Sequence, residues 1–150
     1  MPQFFKVEGL SELLSGLEEL KETTQANVIK RALKDAGDPI AQAAAQKAPR
    51  RTGRLKASID VSTRLSSRQK RGYHKESEFE VYVGAGALRQ ATAQEFGTRI
   101  NKPQPYLRPA WDAGWKDALA SIRDALANEI KKAAERAARK AARQLAKLNA

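Results

Sequence analysis

Apolar residues recur at three- and four-residue spacing in two separate stretches, and a chain patterned this way must fold so that both stripes are covered. The first runs from about Thr24 to Lys47 and carries Val28, Ile29, Ala32, Leu33, Ala36, Ile40, Ala43 and Ala44, one face of an amphipathic helix. Pro39 falls inside it and is expected to kink the helix near Gly37 and Asp38, because proline removes a backbone donor and crowds the preceding turn. The second stretch opens at Arg108 or Pro109 and carries Trp111, Trp115, Ala118, Leu119, Ile122, Leu126 and Ile130, with proline well placed in a first turn. Trp111 and Trp115 stand one turn apart, so the sequence predicts that both anchor this helix on a sheet. Beyond Ile130 only alanine pairs recur, at 133–134, 137–138 and 141–142.

Between the two helices the period changes. Ala48 to Arg54 reads as a loop opened by Pro49 and Gly53. Ala57 to Leu65 alternates through Ile59, Val61, Thr63 and Leu65 as a half-buried strand does, and Phe79 to Val83 alternates again before Gly84 and Gly86. The two are expected to pair as a long-looped antiparallel hairpin around a polar loop, Ser66 to Ser77, whose Ser66–Lys75 part is expected to order only against a partner. Gln90 to Phe96 reads as one or two helical turns. Ahead of all this, Phe4 to Val7 resembles a short strand, and Ser11 caps a helix carrying Leu13, Leu14, Leu17 and Leu20.

At 150 residues, with 41% hydrophobic but 6% aromatic residues, one core of Ala, Leu, Val and Ile favours helices packed closely on a small sheet. The expected fold class is therefore α+β, a small antiparallel sheet packed by helices, with a long C-terminal helix projecting from the domain. Residues 1–130 form the domain and 131–150 a basic, Ala-rich helical extension. No apolar run reaches membrane-spanning length and no signal-peptide pattern opens the chain, so synthesis in the cytoplasm and no membrane partner are expected.

Chemistry is largely excluded by residue type. The chain has no cysteine and one histidine, so thiolate metal sites and cysteine nucleophiles are absent. His74 sits in the polar loop with only Glu76 near it and reads as a surface residue. Gly84-Ala85-Gly86 does not complete a phosphate-binding fingerprint and reads as a strand-ending turn. No enzyme activity, cofactor, metal or small-molecule substrate is expected.

Charge is the stronger signal. The net charge of +11 is uneven: Lys47 to Lys75 carries a local +9, Lys131 to Ala150 a local +6, and the remainder −4. The first basic segment includes Arg50, Arg51, Arg54, Lys56, Arg68, Lys70, Arg71 and Lys75. It suits either nucleic-acid phosphates or an acidic protein, though it lacks interleaved aromatics for base stacking.

Three ordered stretches resemble a known family. Ala48-Pro49-Arg50-Arg51-Thr52-Gly53-Arg54-Leu55-Lys56-Ala57-Ser58-Ile59 is similar to the "AP-x-x-TG-x-L-x-x-S-I" segment of phage head-tail joining and minor tail-component proteins. Glu95-Phe96-Gly97-Thr98 resembles their "EFGT" element, and Pro103 to Ala110 their "P-x-x-P-F/Y-[LM]-RPA" element. The likeness covers roughly residues 7 to 130. It departs at Ala91-Thr92-Ala93-Gln94, where family members often carry aromatics, and in the length of the basic tail.

The resemblance implies a structural virion protein of a tailed bacteriophage, a neck or tail-completion component that forms a hexameric or dodecameric ring at the head-tail interface. Its partners would be itself and other neck and tail proteins, with genomic DNA close by. Glu95, Phe96, Gly97, Thr98, Pro105, Tyr106, Leu107 and Arg108 would be the subunit or partner contact. The competing reading from charge alone is a basic DNA-binding accessory protein.

Overall fold

The computed structural model describes Glu18 and residues 22–148. The strand expected over Phe4 to Val7, and apart from Glu18 the Ser11-capped helix, lie outside the described residues. Seven elements follow among those described: α1 (Glu22–Lys47), α2 (Arg54–Ser58), β1 (Asp60–Ser62), α3 (Ser67–Lys70), β2 (Tyr82–Gly84), α4 (Arg89–Phe96) and α5 (Leu107–Leu148). The fold is α+β, a two-stranded antiparallel sheet packed by helices, with a long C-terminal helix.

Helix α1 organises the rest. Its buried residues Val28, Ala32, Ala36, Ile40 and Ala44 stand four apart, and Ala48 just past its end continues the row. Such a row forms a ridge that packs into a neighbour's groove, and alanine keeps the ridge low enough for close approach. The helix contacts both strands and α5. Toward the sheet, a Cβ on Gly37 would lie 3.1 Å from Val61 Cγ1 and 3.2 Å from Val83 Cγ2; toward α5, a Cβ on Gly114 would lie 3.0 Å from Ile40 Cγ1. Where a kink is expected, α1 stays continuous through Pro39. Pro39 is exposed, and so is Asp35, whose carbonyl loses its partner, so water can satisfy that group.

The strands are shorter than the alternation predicts. Residues 54–58 are helical, not extended: Ser58 Oγ donates to the Leu55 carbonyl at 2.7 Å, closing one turn over the buried Leu55. Only Asp60–Ser62 remains as strand, with Asp60 opposite Gly84, Val61 opposite Val83 and Ser62 opposite Tyr82. Gly84 is the last residue of the second strand, which ends there as expected. Phe79 and Glu80 fall outside that strand because the Glu80 carboxylate accepts from the backbone N–H groups of Glu76 and Ser77, folding the approach into a turn. Inside the expected polar loop, Ser67–Lys70 makes one helical turn held by a capping box. Ser66 N–H donates to Gln69 Oε1 at 3.0 Å, and Gln69 N–H donates to Ser66 Oγ at 3.4 Å.

The last helix also departs from expectation. It packs along α1 and not on the sheet, and its inner row is Ala110, Gly114, Ala118, Ile122, Leu126 and Ile130, again four apart. Trp111 is 54% exposed and Leu119 39%, while Trp115 is half-buried. An indole cannot enter a seam where alanine and glycine rows face each other, so the helix turns its small side inward. At 42 residues α5 is about 63 Å long, and from Ala134 to Leu148 every residue is exposed.

Because Gly37 sits against both valines of the sheet, Gly37→Leu should destabilise the chain by about 1–3 kcal/mol through overpacking, read as a lower thermal midpoint. An unchanged midpoint would show that the sheet can move away from α1 without cost.

Candidate functional site

Helix α4 places Ala91 and Glu95 four residues apart on its inner face, and both meet the start of α5. Glu95 is 4% exposed. Its Oε2 accepts from Tyr106 N–H at 2.8 Å and Leu107 N–H at 2.9 Å, and its Oε1 accepts from Arg108 N–H and Arg108 Nε, both at 3.0 Å. Arg108 Nη2 donates in turn to the Glu95 carbonyl at 2.9 Å. A helix leaves its first four N–H groups without internal partners. Here Tyr106, Leu107 and Arg108 bring theirs to one carboxylate, and the fourth position is Pro109, which has none. Tyr106, 2% exposed, seals the joint, its hydroxyl 3.4 Å from the Ala91 carbonyl.

The connection between α4 and α5 folds back over this cap. Gly97 N–H donates to the Ala93 carbonyl at 2.8 Å, and Gln104 N–H to the Gln94 carbonyl at 2.7 Å. Thr98 N–H donates to the Asn101 carbonyl at 2.9 Å, while Asn101 N–H donates to Thr98 Oγ1 at 3.0 Å. Gly97 has φ of 79°, and a Cβ there would come within 2.9 Å of the Pro103 backbone nitrogen, so no other residue fits.

The expected contact residues therefore divide into two sets. Glu95, Gly97 and Tyr106 make the intramolecular clasp, and Leu107 is partly buried with them. Phe96, Thr98, Pro105 and Arg108 face outward. Phe96 is 63% exposed, with the Arg108 guanidinium 4.9 Å from its ring centroid. Trp111 follows Arg108 by one helical turn, and Ile100, 87% exposed, tops the turn that Thr98 holds. Three large apolar side chains are thus left exposed around the clasp. The sequence reading did not single out Ile100 as a contact, although its place between Thr98 and Asn101 at the tip of a held turn is the signal for it.

The eight expected basic residues are all exposed; seven lie in two places, and Arg71 follows α3 without lining any of the cavities below. Arg51 lines a small cavity of about 130 Å³ with Pro49, Leu55, Gln90 and Gln94, beside the clasp, and Arg50, Arg54 and Lys56 are its chain neighbours. Lys70 and Lys75 line a cavity of about 460 Å³ at the far end of the hairpin, where Lys30 and Arg64 join them. Arg68 lines an adjoining one of about 610 Å³. Between these two cavities stand Tyr73 and Tyr82, edge to face at 5.8 Å. Glu80 accepts the Tyr82 hydroxyl at 2.5 Å. That hydrogen bond is the chief reason the Glu80 carboxyl is pulled down to about 2 and the Tyr82 hydroxyl pushed up to about 12. Lys30 and Tyr82 escaped the sequence reading because they lie outside the basic run that the fold brings to them.

Among the described residues, no group of three His, Asp or Glu side chains could hold a metal ion, and no helix is long and apolar enough to cross a membrane. The sequence profile of the family described as "Bacteriophage HK97-gp10, putative tail-component" matches residues 11–97, more than half of the chain. It ends at the glycine of the clasp, so the Pro103–Ala110 element lies beyond it. No curated protein and no solved structure matches the chain.

Burial opposes the charge on Glu95, but the N–H groups of Leu107, Tyr106 and Arg108 and the Arg108 side chain outweigh it and hold the carboxyl below its ordinary value. Glu95→Gln should cost about 2–4 kcal/mol, combining a weakened helix cap with lost charge-assisted bonds. The stabilisation is present above the ordinary glutamate value of about 4.3 and is lost as pH falls through the depressed native value. The melting temperature of the native chain should accordingly fall below about pH 4, and the variant's should fall less. Equal acid sensitivity in both would remove Glu95 as the titrating cap.

Proposed function

The chain belongs to the HK97-gp10-like family of bacteriophage tail components, and we propose that its role is that of a ring component at the head-tail interface. In this reading it is a non-enzymatic virion protein of the neck or tail-completion kind. It joins connector to tail around the DNA path, with copies of itself and other neck and tail proteins as partners.

The observation that carries the reading is the outward surface of the clasp. Phe96, Ile100 and Trp111 expose large apolar area on a connection held by backbone hydrogen bonds at Gly97, Thr98 and Gln104. A rigid apolar surface binds without the ordering cost that a mobile loop incurs, and burying it against a neighbour removes side chains that a lone subunit leaves in water. The distal part of α5 supports the same reading. Residues 131–150 carry a local +6, and the exposed stretch from Ala134 includes Leu145 and Leu148 at 61% and 81% exposure, so this segment acts as an assembly element.

Native mass spectrometry and negative-stain imaging of the chain, alone and with connector and tail proteins, test the proposal. Closed oligomers are expected. Phe96→Ser with Trp111→Ser, and separately truncation after Ile130, should weaken ring formation while leaving the monomer's thermal midpoint nearly unchanged. A chain that stays monomeric or dimeric with every partner, yet binds free duplex DNA tightly, would support a DNA-binding accessory protein instead.

A further inference from the structure

The 460 Å³ cavity at the far end of the hairpin draws cations from four places in the chain: Lys30 from α1, Arg64 after β1, Lys70 at the end of α3, and Lys75 from the following loop. Among the described residues Lys30, Arg64 and Lys70 form no ion pair. Lys30 Nζ instead lies 5.9 Å from the Phe79 ring centroid, and Lys75 Nζ donates to the main-chain carbonyl of Glu78. The cavity's two carboxylates, Glu78 and Glu80, do not balance four cations. Glu80 is further committed to the N–H groups of Glu76 and Ser77 and to the Tyr82 hydroxyl.

Unpaired cations around a concavity attract an anion, and Tyr73, the single aromatic inside the Lys47–Lys75 run and passed over there as a stacking residue, narrows the choice of anion. The residue is 40% exposed and lines the cavity wall. It stands at 88° to Tyr82, whose own position the Glu80 hydrogen bond holds, and an edge-to-face pair covers at most one face of either ring. A fixed aromatic face beside several cations is the arrangement that takes a sugar-phosphate strand by its phosphates and stacks one of its bases. The volume lies within the roughly 300–1,000 Å³ usual for small-ligand sites, enough for a nucleotide, and a base can stack on the ring only when it is unpaired.

We propose that this cavity binds an unpaired stretch of nucleic acid without reading its sequence, Lys30, Arg64 and Lys70 holding phosphate and Tyr73 stacking a base. The site goes beyond the proposed function, which calls for no unpaired strand, and does not rest on it. Binding is read on the full chain free of connector and tail proteins, and assembly by mass, so each can fail without the other.

Fluorescence anisotropy with a labelled oligothymidylate, a duplex of equal length, inorganic pyrophosphate and an oligoglutamate as competitors decides the matter. The oligothymidylate should bind best. Tyr73→Leu should weaken it about tenfold with the salt dependence unchanged, and Tyr73→Phe should restore it. Lys30→Gln with Arg64→Gln and Lys70→Gln should make the negative slope of log affinity against log salt shallower by about 2. A charge-matched change in the tail, Arg139→Gln with Lys140→Gln and Arg143→Gln, should leave the effect of Tyr73→Leu intact. Thermal melts confirm that each variant is folded. Duplex bound as tightly as single strand, oligoglutamate or pyrophosphate competing as well as unlabelled oligothymidylate, or indifference to Tyr73→Leu would each overturn the proposal.

Discussion

One buried carboxylate fixes where the long helix begins, tying the end of α4 to the start of α5. A helix as long as α5 needs its N-terminus closed, and the usual device is a serine, threonine or aspartate just ahead of it. This chain instead has Tyr106 at that point, and the acceptor arrives from the end of the preceding helix. Glu95 and Pro109 between them leave none of the four leading positions with an orphan donor. The same contact fixes the angle at which α4 and α5 meet, covers the Ala91 carbonyl with the Tyr106 ring, and places Phe96 under Arg108. Packing against α1 then has a defined starting point, because Ala110 and Gly114 follow the cap directly.

Ordering at this joint explains why the EFGT and PYLRPA segments behave as one unit although eleven residues of sequence separate Glu95 from Tyr106. Their polar groups satisfy one another, Tyr106 and Ala110 are buried, and Phe96, together with Trp111 just beyond the second segment, is left on the outside. A segment whose role were purely structural would turn those rings inward, where each could bury roughly 150–250 Å². Their exposure is the feature that intramolecular packing does not explain.

What was legible in the sequence follows from what each signal measures. The four-residue recurrence in α1 reports one face of one helix, so its extent and its buried row could be read directly. In α5 the same reading placed the helix and named Ala118, Ile122, Leu126 and Ile130 of its inner row, but it counted Trp111 and Leu119 as buried and passed over Ala110 and Gly114, because large apolar residues were given more weight than small ones. Hydrophobicity ranks the side chains; closeness of approach decides which ones fit. Strand length was overestimated because alternation does not register the local side-chain bonds of Ser58 and Glu80, which close turns at the strand ends. The clasp residues could be named from their motif order, but not that Glu95 serves a helix N-terminus while Phe96 beside it faces water. The basic cavity was half visible: Lys70 and Lys75 lie in the charged run, whereas Lys30 and Tyr82 reach it only through the fold.

The fully exposed end of α5 has a geometric consequence. A rod of about 63 Å with its root in the clasp acts as a pointer: turning the domain by about 5° carries Leu148 through about 5 Å while displacing the atoms around Glu95 hardly at all. Small differences in how a subunit is seated at its base are thereby magnified at the tip to roughly one turn of helix. A neighbour gripping that tip would be sensitive to tilts too slight to register in the body of the domain.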